Sequence, residues 1–134
     1  MSGRKIVRVK DVMKTGFDMV DGMMSVQDAL GKMKHVDTKC LIVDKRHKDD
    51  EYGIVLISDI AKNVLAKDKS PERVNVYEVM SKPVICVDAG MDIRYCARLF
   101  DKFGLSRTPV VEDGKVVGIV SFTDMVLIGM TSGA

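Results

Sequence analysis

The chain is written twice. Sliding it by 67 residues lays Val12-Met13 on Val79-Met80, Val20-Asp21 on Val87-Asp88, Met24 on Met91, Val26 on Ile93 and Met33 on Phe100. The offset becomes 68 where Leu41-Ile42-Val43-Asp44 meets Pro109-Val110-Val111-Glu112, and 65 where Gly53 meets Gly118. That drift corresponds to one residue inserted in the second copy and three extra residues in the first copy's hairpin. Length changes that fall between elements mark a duplication, because loops tolerate them and strands and helices do not. A copy of about 60 residues is too small to be more than marginally stable alone. The two copies are therefore expected to form one fold, with their sheets packed face to face about a pseudo-twofold axis.

Each copy reads β-α-β-β-α, which makes the fold class α/β (α+β). The expected boundaries are a tail at 1–8, a first repeat at 9–67, a linker at 68–73 that contains Ser70-Pro71, and a second repeat at 74–130. A short apolar strand at 17–20 or 84–87 comes first, followed by turn residues at Asp21-Gly22 or Asp88-Ala89-Gly90. The next helix carries Val26, Ala29, Leu30 and Met33 in the first copy, and Ile93, Cys96, Ala97 and Phe100 in the second, all at helical spacing. Ser25, with Asp28 three residues on, and Asp92 supply N-caps. Buried strands are expected at 40–43 and 109–111, with Pro109 at a strand start where its missing N–H costs least. Glu112-Asp113-Gly114-Lys115 is a tight hairpin turn. Its counterpart at 45–51 is longer and charged with alternating sign, which favours a solvated tip over a metal-binding loop of His47 and acids. Strands at 52–57 and 116–122 lead into final helices. The first carries an apolar stripe of Ile60, Ala61, Val64 and Leu65; the second is cut short near Gly129, with residues 131–134 frayed.

Composition excludes several functions. With 21 basic and 19 acidic residues in 134, the net charge of +2 argues against a general nucleic-acid binder. The basic residues Arg4, Lys5, Arg8 and Lys10 fit a solubilising tail. No stretch approaches the roughly 18 apolar residues of a membrane span, and residues 1–10 lack the apolar core of a secretion signal. The expectation is a cytoplasmic protein with no membrane partner. Cys40, Cys86 and Cys96 lie in apolar runs without metal-ligand spacing, and read as buried thiols in a reducing compartment. The cluster Met19, Met23 and Met24 reads as core filling more readily than as a soft-metal site.

The chemistry lies in the stretch Gly118-Ile119-Val120-Ser121-Phe122-Thr123-Asp124 and its counterpart Gly53-Ile54-Val55-Leu56-Ile57-Ser58-Asp59. An apolar strand ends in hydroxyls and a carboxylate just as a helix begins. Helix starts leave N–H groups unpaired, which suits a phosphate; hydroxyls add donors, and a carboxylate accepts from both hydroxyls of a ribose. Helix capping uses the same Asp59 and Asp124 carboxylates, so the two roles are not separable at this level. No nucleophile elbow or phosphate-binding glycine loop occurs, and neither His35 nor His47 is placed as a base, so an enzyme is not expected.

These endings, the Val-Met openings and Pro109-Val110-Val111 resemble a tandem pair of cystathionine-β-synthase (CBS) domains, a Bateman module, from about Val9 to Ile128. The resemblance implies a stand-alone regulatory module that binds an adenine nucleotide (AMP, ADP or ATP) in the cleft between repeats, with no obligatory cofactor. Transferred by position, Ser121, Thr123 and Asp124 form the polar end of one cleft, with Met24, Ala29 and the Asp37-Thr38 backbone as its adenine wall. The second, weaker cleft uses Ser58 and Asp59 with Met91, Cys96, Leu105 and Ser106; here Leu56 replaces a hydroxyl. Arg107 and its counterpart Lys39 either aim a cation at a phosphate or are solvated residues at strand starts. S-adenosylmethionine is an alternative ligand. The other class of reading is a ligand-free interaction module whose helices, through Ile60, Val64, Met125 and Ile128, pack on a partner. A homodimer is expected, with an unidentified regulated protein as a further partner.

Overall fold

Two three-stranded sheets form, one per copy, with the same order and sense in each. The computed structural model describes residues 5–131. Arg4 and the C-terminal end expected to fray beyond residue 131 lie outside the described residues. In the first sheet β1 (Met19–Val20) pairs parallel to β2 (Cys40–Val43), which pairs antiparallel to β3 (Gly53–Leu56). In the second, β4 (Val87–Asp88) is parallel to β5 (Arg107–Glu112), and β5 is antiparallel to β6 (Lys115–Ser121). The mixed α/β class therefore holds, and the register explains the apolar pattern. β2 is buried along its whole length, as an uninterrupted Cys-Leu-Ile-Val run requires.

The chain divides into two compact units that do not follow the sequence copies. One is continuous, Phe17–Val84. The other is split: it joins the described residues up to Gly16 to those from Ile85 onward. The reason is a matched set of hydrogen bonds. In the split unit Val9 N–H donates to Met91 C=O at 2.8 Å and Lys10 N–H to Ala89 C=O at 2.9 Å. In the continuous unit Val76 N–H donates to Met24 C=O at 2.8 Å and Tyr77 N–H to Gly22 C=O at 2.9 Å. Each copy's opening segment thus completes the other copy's sheet. Apolar burial holds the segments there: Val9 and Val12 of α1 (Val9–Val12) are 0% and 2% exposed, worth about 1.5–3 kcal/mol each.

The caps behave as the sequence predicts. Ser25 Oγ accepts from Asp28 N–H at 3.0 Å and starts α2 (Val26–Gly31). Asp92 accepts from Arg94 N–H at 2.9 Å and starts α4 (Ile93–Phe103). Phe100 of α4 is fully buried and meets Phe122 edge to face, ring centroids 5.1 Å apart. The hairpin turn at Asp113 and Gly114 has φ of +52° and +77°, the left-handed pair that Asp-Gly favours.

Other expectations need correction. Pro109 is third in β5, opposite Ile119, and not at its start. A proline nitrogen donates nothing to β6, and on the other side β4 begins only opposite Val110. The final helices α3 (Ile57–Ile60) and α5 (Phe122–Asp124) each widen at once into π-type turns, Ala61–Leu65 and Met125–Gly129. Ala66 N–H accordingly reaches back five residues to Ala61 C=O, at 2.8 Å. The wider turn rotates Leu65 out to 77% exposure while Val64 stays buried, so the four-residue stripe is not one face. Of the residues expected on an exposed partner face, Val64 and Met125 are each only 3% exposed and Ile128 is exposed; Val126, Leu127 and Met130 are exposed beside it. Cys40 and Cys96 are buried, whereas Cys86 is only half-buried.

Candidate ligand site at the strand ends

At Ser121 the backbone is still extended, and its Oγ accepts from Asp124 N–H at 3.1 Å. Ser121 therefore caps the helix, and the Asp124 carboxylate is released from that task. It pairs instead with Lys14, whose Nζ lies 2.6 Å from Oδ2. Asp124 is 7% exposed overall. A carboxylate with so little water around it depends on the cation beside it. Lys14 is fixed through its backbone, donating to and accepting from Ile119 at 2.9 Å each way. This approach needs the glycine of the repeated motif, because a Cβ on Gly118 would sit 2.6 Å from the Lys14 carbonyl oxygen. Lys14 is the functional candidate that sequence reasoning missed. Its signal was present: the residue after Val-Met is Lys14 in one copy and Ser81 in the other.

The same end of the split unit holds Arg107, half-buried at the start of β5 and directly opposite Ser121 in register. Next to it, Thr108 is 1% exposed, and its hydroxyl has no hydrogen-bond partner among the described residues. Thr123 is exposed. Ser106 is exposed and its carbonyl accepts from Phe122 N–H at 3.1 Å, while Leu105 and Met91 are half-buried. Cys96 is wholly buried, and burial pushes its thiol up to about 11. The two strand ends thus gather Lys14, Arg107, Ser121 and Asp124, with Ser106 at the adjoining turn.

The continuous unit solves the same turn differently. Leu56 stands where Ser121 stands and offers no hydroxyl, so Asp59 itself closes the helix start, accepting from Leu56 N–H at 2.9 Å through Oδ2. Ser81 occupies the Lys14 position and makes the equivalent bridge to Ile54, at 2.9 and 3.0 Å. It brings no charge. Capping and ligand readings thus separate here: the Asp59 carboxylate is engaged as a cap and the Asp124 carboxylate is not. Ser58 is exposed nearby; Lys39, exposed with φ +59°, accepts from Ile57 N–H at 3.0 Å through its carbonyl. Thr38 is buried, with its Oγ1 2.8 Å from His35 O, while Asp37 is exposed. Met24 is half-buried against the core that holds Ala29, which is 0% exposed. Met24, Ala29, Asp37 and Thr38 lie in the continuous unit, and Ser121, Thr123, Asp124 and Arg107 in the split one.

The charged hairpin at 45–51 is not simply a solvated tip. Arg46, His47, Lys48 and Asp49 are exposed, but Asp50 turns inward. Its Oδ2 accepts from Lys82 Nζ at 2.8 Å and from Arg46 N–H at 2.9 Å. The Lys82 ammonium, with help from the Arg46 amide, holds the Asp50 carboxyl well below the usual carboxylate range. Among the described residues no group of three or more His, Cys, Asp or Glu side chains could hold a metal, and no helix is long and apolar enough to cross a membrane.

The CBS domain family matches residues 9–66 and 76–129. An uncharacterised protein of Methanopyrus kandleri is 34% identical over 85 residues, 63% of this chain and 43% of its own length. One from Methanocaldococcus jannaschii is 27% identical over 82% of this chain and 60% of its own. The chain thus spans about half the length of these relatives. Among solved structures, a hexameric CBS-CP12 protein from bloom-forming cyanobacteria superposes with a TM-score of 0.87 at 33% identity, over 92% of this chain and 71% of that one. The CBS domain pair of protein MJ0100, in complex with 5-methylthioadenosine and S-adenosyl-L-methionine, gives 0.77 at 26% identity over 94% of this chain and 98% of that one.

Proposed function

Because the chain belongs to the CBS domain family and carries two copies of the domain, we propose that it is a regulatory module that binds an adenine nucleotide. In this reading it binds and does not catalyse. The observation that carries it is the carboxylate of Asp124, nearly buried, free of helix capping and held beside a cation at a strand end. Asp124 accepts from the ribose hydroxyls. The Lys14 ammonium and the Arg107 guanidinium meet the phosphate, with the Ser121 and Thr123 hydroxyls beside it. In the continuous unit Lys39, Ser58 and Asp59 are the corresponding second site. Asp59, already engaged as a cap and without a cation at Ser81, makes that second site the weaker one.

Binding has a built-in exchange. Lys14 and Asp124 satisfy each other; a nucleotide brings an anion for one and hydroxyls for the other. A ligand with both therefore replaces the pair at little electrostatic cost, and a ligand with neither charge nor diol does not. The arrangement that accepts the ligand is favoured by the binding energy, which is how such a module signals. S-adenosylmethionine, present in the MJ0100 relative, brings the diol without a phosphate and is the competing ligand.

Calorimetric titration of the whole chain with AMP, ATP and S-adenosylmethionine tests this. The expected result is heat with AMP or ATP that is lost in Asp124→Asn. No heat and no melting shift at millimolar nucleotide overturns the reading, since a ligand that binds the folded state must stabilise it.

Self-association is part of the proposal. Val126, Leu127 and Met130 are 48%, 63% and 76% exposed on the last turns, and the cyanobacterial relative is hexameric. Light scattering should report a homodimer or a larger assembly that Leu127→Asp weakens. A wild-type chain that stays monomeric removes this part.

A further inference from the structure

A second pocket lies in the continuous unit at the hairpin end of its sheet, the end of β2 and β3 remote from Asp59. Its volume is about 360 Å³, at the low end of the roughly 300–1,000 Å³ typical of small-molecule sites. Val43, Met80 and the half-exposed Tyr77 provide apolar lining, and Asp44, Arg46, Asp50 and Lys82 provide charge. The duplicated copy shows that the fold does not need this construction. There the same hairpin closes with Asp113-Gly114, whereas here three extra residues form a loop whose Asp50 is drawn onto Lys82 at 2.8 Å. The pair is largely withdrawn from water, with side chains 10% and 20% exposed. Ordering a longer loop and desolvating two charges are both costs. Nothing in the packing of the sheet requires either.

The chemistry left at the pocket has two poles. Asp50 engages Arg46 through its backbone N–H and, at 3.5 Å, through Nε, so the outer guanidinium nitrogens lie outside that pair. Lys82 likewise has two ammonium protons beyond the one given to Asp50. Those donors suit a carboxylate. At the rim Asp44, exposed directly after β2, uses Oδ1 for Lys45 N–H at 2.8 Å and keeps its negative charge. That charge suits an ammonium. The four ionised side chains sum to zero, so neither a strong anion nor a strong cation is favoured, and the space is small for a nucleotide.

We propose that this pocket binds a free α-amino acid with an apolar side chain. Its carboxylate meets Arg46 and Lys82, its ammonium meets Asp44, and its side chain lies on Val43, Met80 and Tyr77. The site shares no residue with Lys14, Arg107, Ser121 and Asp124, which lie in the split unit, because it is built wholly within the continuous unit.

Amide chemical-shift titration of the whole ¹⁵N-labelled chain decides it, with L-leucine, L-methionine and L-phenylalanine as probes. At least one should move the amides of Gly22, Asp44 and Tyr77. With leucine as the example, 4-methylpentanoate lacks the ammonium and 3-methylbutylamine lacks the carboxylate. Each should bind at least about tenfold more weakly, the effect of one charged hydrogen bond. Asp44→Asn and Arg46→Ala, both at exposed side chains, should weaken binding to a similar degree with the melting temperature unchanged. No movement at millimolar amino acid overturns the proposal. So do analogues that bind as well as leucine, shifts confined to residues 121–124, or AMP moving the same pocket amides. The last two outcomes leave the nucleotide reading standing, and absence of nucleotide binding elsewhere leaves this one standing.

Discussion

Gly118→Ala is the sharpest test of how the Asp124 site is held. The added Cβ would lie 2.6 Å from the Lys14 carbonyl oxygen and 2.8 Å from Met13 Sδ, where ordinary contact begins at 3.4 Å. The Lys14 backbone must retreat by the difference, 3.4 − 2.6 = 0.8 Å. Retreat of that size disrupts two hydrogen bonds of 2.9 Å to Ile119, at about 1 kcal/mol each. Crowding adds about 1–3 kcal/mol, and the lower entropy of an unfolded alanine returns about 0.4–1 kcal/mol. The expected net loss is about 2–4.5 kcal/mol, or a fall of about 1–2 M in the urea midpoint. Gly53→Ala is the internal control. There the nearest atoms are the flexible Met80 Sδ at 3.0 Å and Ser81 O at 3.2 Å, so its loss should be about 1 kcal/mol or less. Urea unfolding of the two variants measures the contrast. Equal losses, or a Gly118→Ala protein within about 0.5 kcal/mol of the parent, refute the claim that this glycine is what lets Lys14 approach.

The remaining predictions concern charge and hydroxyl groups. Lys14→Met should cost about 1–3 kcal/mol, less than a fully buried pair because Lys14 is partly solvated, and adding Asp124→Asn should recover most of it; a double-mutant cycle in urea showing no coupling would remove the pair from the account. Thr108→Val should stabilise the ligand-free protein by about 1 kcal/mol, since a buried hydroxyl without a partner is replaced by a methyl group, and a destabilised variant would mean the hydroxyl is bonded. The Arg94 side chain and amide hold the Asp92 carboxyl down at about 2. The unfolded chain therefore takes up this proton first as pH falls, so stability contributed above pH about 4 is lost between about 4 and 2. In urea melts across that window Asp92→Asn, which keeps a cap, should lose less stability than the parent; parallel curves would count against it.

What the sequence made legible was local. Ser25, Asp92 and the Asp113-Gly114 turn act on residues one to three positions away, and each appears in the structure with its expected partner. The duplication placed the strands for the same reason, because two copies of one pattern check each other. What depended on distant chain was hidden. Asp50 looked like one more solvated charge because its partner, Lys82, lies 32 residues on. Lys14 drew no notice because Asp124 is 110 residues away. The outward turn of Leu65 was hidden by an assumed period: stripes are read at 3.6 residues per turn, and a π-type turn breaks that count. At the candidate site the strand ending was legible, but the division of labour was not. Ser121 caps one helix while Asp59 caps the other, a difference that neither motif spells out.

The pairing of each opening segment with the later copy sets an order on biosynthesis. Residues 5–16 leave the ribosome before their partners do: the strand at Val87 and the helix at Ile93 on which Val9 and Val12 come to rest are translated only after Phe17–Val84 is complete. By then the continuous unit has all three of its strands, while Val9 and Val12 still lack the residues that bury them. A nascent chain paused before Val87 thus displays an uncovered apolar segment around Val9 and Val12, and chaperone cover against aggregation matters most in that interval.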